Sequence, residues 1–78
     1  MSRPTASFKY RENREYCDWP IFFGNKREEF EDEFYNVYCH NDGIRKRDIT
    51  SFLTSNNFVP KSITVMPDKE IVEIWEIN

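Results

Sequence analysis

The chain holds one histidine, His40, and it stands beside Cys39, one of two cysteines. A Cys–His nucleophile pair needs thiol and imidazole within hydrogen-bond reach, with a third group orienting the base. Neighbouring residues on a helix point about 100° apart, so adjacency in a helical stretch separates these two groups. His40 instead reads as a histidine near a helix C-terminus, where its cationic form is favoured. Paired acids come next: Glu29 and Glu33 lie one turn apart, as do Glu28 and Asp32. Two carboxylates do acid–base work when burial raises the pKa of one of them. These fall on the polar side of an amphipathic stretch, where solvent and the helix dipole favour the charged form. Cys17, Cys39, His40 and Asp42 could supply metal ligands, but they lack the Cys-x-x-Cys or His-x-x-x-His spacing of structural zinc. Gly24 and Gly43 are the only glycines, too few for a phosphate-cradling loop. No catalytic residue, metal ligand or cofactor is assigned, and the chain is expected not to be an enzyme.

Surfaces that bind are the remaining chemistry. Helical patterns over 26–40 and 48–57, with a turn near Gly43 and a C-terminal hairpin, resemble a helix-turn-helix followed by a wing. In that reading Arg45, Lys46, Arg47 and Lys61 meet phosphates. Thr50, Ser51, Thr54, Ser55 and Asn56 are then short polar groups for base edges. Against it stand the acidic run of residues 28–33 and the hairpin acids Glu70, Glu73 and Glu76, which repel a phosphate backbone. The favoured reading is a surface for a larger host or cognate protein. Glu28, Glu29, Asp32 and Glu33 give an acidic helix face suited to a basic partner surface. Tyr35, Tyr16 and Trp19 are aromatics of the kind enriched at binding hot spots. The implied role is an inhibitor or adaptor, with nucleic-acid regulation as the alternative. In size and patchy charge the chain resembles, in style alone, small phage- or mobile-element-encoded proteins that block host machinery. No family motif carries that likeness.

These residues must be held by a small fold. Seventy-eight residues make one domain, read as a single α+β unit over 1–78, with 1–6 expected to fray. Seven Phe, four Tyr and two Trp supply the apolar mass, and such a content argues against disorder. The net charge of −3 is patchy. Residues 26–42 carry two basic and six acidic side chains, and residues 43–61 carry four basic and one acidic. Two cysteines are too few for a secreted disulfide scaffold, and whether Cys17 and Cys39 are bridged is left open. With no apolar leader and no run of about twenty apolar residues, the chain is expected to be cytoplasmic and to engage no membrane.

Phe8-Lys9-Tyr10-Arg11 alternates as a half-buried strand does. Tyr16–Phe23 reads as a short edge strand or an extended loop, with Phe22 and Phe23 in the core. Asn25 is expected to cap the first helix, with Glu28 closing a capping box. Phe30, Phe34, Val37 and Tyr38 form its inward stripe, and the helix should reach about His40. Gly43 is expected to take the left-handed conformation after it. Asp48 caps a second helix with Ile49, Phe52 and Leu53 facing in, ended by Asn56-Asn57 and Pro60. Residues 62–66 and 71–77 pair around a type I turn at Pro67-Asp68. Both faces of 71–77 are apolar, which marks a central strand or one covered on both sides. The expected architecture is an antiparallel sheet of three to four strands with two helices packed on it.

Overall fold

A computed structural model describes residues 3–77. The element order is β1 (Thr5–Tyr10), β2 (Ile21–Phe23), α1 (Arg27–Tyr38), α2 (Lys46–Ser55), β3 (Phe58–Val65) and β4 (Ile71–Ile77). The strands form one antiparallel sheet in the order β2-β1-β4-β3, so the fold is α+β and ends in the expected hairpin. The strand apolar on both faces, β4, is interior, paired with β1 on one side and β3 on the other. It is therefore part of the sheet rather than a free wing.

Register sorts the side chains. Ala6 pairs with Phe22 and Trp75, Phe8 with Glu73, and Phe58 with Ile77, so these residues share one face. That face carries the core, where Ala6, Phe8, Phe22, Phe58 and Trp75 join Phe34 of α1 and Ile49, Phe52 and Leu53 of α2. Both helices thus lie on the same side. Phe22 and Phe34 knit the layers together, with Phe22 against Phe30, Phe52 and Phe58, and Phe34 against Tyr38 and Phe52. The opposite face shows Ile21, Phe23, Ile74 and Val59 to solvent.

Several expectations need correction. Strand β1 begins at Thr5, inside the stretch expected to fray, because Ala6 is fully buried in the sheet. Met1 and Ser2 lie outside the described residues. Phe23 is half exposed, because alternation in a three-residue strand puts only the middle residue, Phe22, inside. Helix α1 starts after Lys26 (φ 64°), with no side-chain cap. The chain reverses out of β2 through Gly24 (φ 84°) and Lys26, which leaves Asn25 outside the capping position. Val37 is exposed because the inward stripe runs straight along Phe30, Phe34 and Tyr38. The helix stops at Tyr38 rather than His40, closed by Cys39 in ordinary helical conformation. Gly43 is not left-handed; its role is steric, since an added Cβ would lie 2.5 Å from the Tyr16 ring.

Helix α2 starts earlier than expected, at Lys46. Asp48 still serves its start, accepting the Arg45 backbone N–H at 3.0 Å from the third helical position. Asn57 (φ 70°) turns the chain straight into β3, so that strand begins at Phe58 rather than residue 62. Pro60 is tolerated because β3 is an outer strand and its register shifts between Pro60 and Ser62. The other outer strand, β2, has three residues and follows Pro20. The β3–β4 turn closes with Lys69 N–H donating to Met66 O at 2.9 Å, and Lys69 itself sits at φ 71°.

Candidate functional site

Helix α1 is amphipathic by position. Around its axis Phe30, Phe34 and Tyr38 recur at i, i+4 and i+8 and mark the inward line. At about 100° per residue, Glu28, Asp32, Glu29 and Glu33 fall across the opposite arc, with Tyr35 on its flank. All five are exposed, and so is Glu31. Glu28 and Glu29 occupy the first turn, where the helix dipole stabilises negative charge. Among the described residues Glu31 alone of these acids is ion-paired, to Arg27 one turn back at 3.8 Å. Glu28, Glu29, Asp32 and Glu33 have no ion pair among the described residues.

The aromatics predicted to flank this face divide. Trp19 comes to it: its ring meets the edge of Phe34 at 5.3 Å and lies 6.3 Å from Tyr35, tilted by 34°. Trp19 and Tyr35 remain exposed, and with Pro20, Phe34, Glu31 and Asp32 they line a notch of about 320 Å³. Tyr16 goes elsewhere. It lies over Gly43 with the Arg45 guanidinium 5.7 Å from its ring centre, at the connection between the helices. There an open cavity of about 430 Å³ mixes Arg45 and Arg47 with Asp42, Asp48 and His40.

The basic residues of the nucleic-acid reading are largely occupied. Arg45 binds Glu15. Lys61 is 3.3 Å from Glu76. Lys46 reaches back from the first turn of α2 to Glu73 at 3.5 Å. Arg47 alone of the four has no ion pair among the described residues.

Glu73 is the residue the sequence reading misplaced. Expected with Glu70 and Glu76 to oppose a phosphate backbone, it is instead 2% exposed on the core face of β4. A buried carboxylate must be paired and hydrogen-bonded. Tyr10 OH donates to its Oε2 at 2.5 Å and Trp75 Nε1–H to its Oε1 at 2.9 Å. The Lys46 ammonium, also 5.0 Å from the centre of the Tyr10 ring, supplies the charge. Desolvation and the bond to Glu73 hold the Tyr10 phenol above its ordinary pKa. Its hydrogen bond with Tyr10 raises that of Lys46, against a smaller desolvation effect. Nearby, Tyr38 OH donates to Asp48 O at 3.1 Å and ties the end of α1 to α2. The signal was available: Glu73 alternates in step with Ile71, Trp75 and Ile77.

The residues weighed for chemistry lie apart from this cluster. Cys17 forms a backbone bridge to Ile44, and burial raises its thiol pKa. Cys39 caps α1, His40 is exposed just beyond it, and both cysteines are free thiols. No three His, Cys, Asp or Glu side chains among the described residues gather as a metal site, and no described helix is long and apolar enough to cross a membrane. No family model, curated protein or solved structure matches the chain.

Proposed function

We propose that the protein is a small non-enzymatic interaction module, an inhibitor or adaptor that occupies a basic surface on a larger protein. The contact is the outer arc of α1, through Glu28, Glu29, Asp32 and Glu33, flanked by Tyr35 and Trp19. One observation supports this above others: the carboxylates of α1 are exposed with one ion pair among them, Glu31 with Arg27, among the described residues, whereas Arg45, Lys46 and Lys61 already face acids. Free charge of one sign on one face steers association with the opposite sign and sets its salt dependence. The competing nucleic-acid reading would require breaking three internal ion pairs to free its cations.

The test is a pull-down from native host extract with mass spectrometry, run with the parent chain and two variants. Glu29→Lys/Asp32→Lys/Glu33→Lys is expected to abolish capture of the protein partner. Arg45→Ala/Arg47→Ala/Lys61→Ala, which leaves the Lys46–Glu73 pair in place, is expected to retain it. Capture of nucleic acid that survives moderate salt and disappears in the alanine variant would reverse the ranking.

A further inference from the structure

The acidic arc of α1 accounts for attraction but not for what the partner inserts. The notch beside it has the chemistry of a receptor for one kind of side chain. Trp19 is 47% exposed and Tyr35 61% exposed, large apolar rings left in solvent on a domain that needs its aromatics for a core. Their ring centres stand 6.3 Å apart, and Phe34 braces Trp19 from beneath at 5.3 Å. Asp32 and Glu31 line the same cavity of about 320 Å³. Glu31 already meets Arg27, which leaves Asp32 as the carboxylate at the rim with no ion pair among the described residues. Aromatic faces attract cations through the ring quadrupole, and Trp does so best. A planar guanidinium stacks on such rings and forks onto a carboxylate, which an ammonium cannot do.

We infer that the notch formed by Trp19, Tyr35 and Asp32 seats an arginine side chain of the partner. This deepens the proposed function and rests on it: the acidic arc supplies steering, and the notch supplies selection of arginine over lysine. The guanidinium lies over the exposed parts of the two rings and its N–H groups donate to Asp32. The neighbouring acids Glu28 and Glu29 are left for further basic residues on the same surface.

An oligo-arginine peptide titrated into the full chain, with tryptophan emission as readout, tests this. Trp75 is buried, so a peptide-dependent change reports Trp19. An oligo-lysine peptide of equal length is the control for charge alone. The expected result is saturable binding of the arginine peptide, weaker binding of the lysine peptide, and an affinity about two- to fivefold lower for Tyr35→Ala. Asp32→Asn is expected to narrow the arginine-over-lysine preference. Tyr35 is largely solvent-exposed, so its removal spares the core, and circular dichroism verifies the fold. Equal affinity for the two peptides, or unchanged arginine binding by Tyr35→Ala, overturns the notch. The wider reading then still stands if the lysine-reversal variant of α1 loses the partner in the pull-down, and falls with the notch if it does not.

Discussion

Glu73 and Glu29 are the same side chain in opposite surroundings. Glu73 lies inside, where a phenol, an indole and an ammonium converge on its two oxygens. Glu29 lies outside on α1 among Glu28, Asp32 and Glu33, none of them ion-paired among the described residues. The first carboxylate serves the fold: it draws β1, β4 and the first turn of α2 onto one point. The others do nothing for packing, and their mutual repulsion costs a little. A charge that no internal side chain pairs is available for external work. A charge enclosed by donors is not, even though a composition count treats the two alike.

Charge reversal should separate the two regions most widely. Glu73→Lys sets a second ammonium beside Lys46 and leaves the Tyr10 and Trp75 donors without their acceptor. It is expected to lower stability by about 3–5 kcal/mol, the range for breaking a buried pair. Glu29→Lys is expected to cost about 1 kcal/mol or less, the size of a helix-dipole effect at an exposed first turn. Urea unfolding of both variants measures the difference, and similar losses would erase the distinction.

A finer cut keeps the shape and removes one hydroxyl. Tyr10→Phe is expected to cost about 1.5 kcal/mol, the lower range for a hydrogen bond to a charged group, since Tyr10 is only partly buried. It also carries a pH signature. The Tyr10 and Lys46 pKa values are raised on folding above their ordinary values of 10.0 and 10.5. The unfolded chain therefore loses these protons first as pH rises. Their contribution is fully present below the unfolded pKa values and is lost as pH climbs through the folded ones. The parent should destabilise on the alkaline side, from about pH 10 upward, and Tyr10→Phe should do so less steeply. Thermal unfolding across that window decides the matter, and parallel curves for the two proteins would remove Tyr10 from the linkage.

The smallest effect belongs to the acidic region. Arg27→Ala breaks the ion pair with Glu31, the one on that face among the described residues, yet both partners are exposed. Stability is expected to change by less than about 0.5 kcal/mol. A larger loss would mean that the α1 acids contribute to the fold after all.

Much of this was legible in the sequence, and what was not has definite causes. The period of Ile49, Phe52 and Leu53 placed α2, and the two apolar faces of 71–77 placed β4 inside the sheet. Phe23 and Val37 are apolar but point outward, because short-strand alternation and the i, i+4, i+8 line, not residue type, set their direction. The cap expected at Asn25 failed because the exit from β2 imposes two left-handed residues, a demand of tertiary path rather than of local preference. At the site, the acidic arc followed from helix geometry alone. The meeting of Trp19 with Tyr35, and the departure of Tyr16 to Gly43, depended on how the loop before β2 crosses the helices, and no periodicity encodes that. Simple alternation with Ile71, Trp75 and Ile77 puts Glu73 on the core face, while its residue type alone points to the surface.

The interruption of β3 at Pro60–Ser62 and the brevity of β2 have a consequence for how this molecule can meet others. Neither margin of the sheet offers a long, unbroken row of amide and carbonyl groups for a foreign strand to copy. Both margins are thereby poorly suited to templating the growth of fibrils.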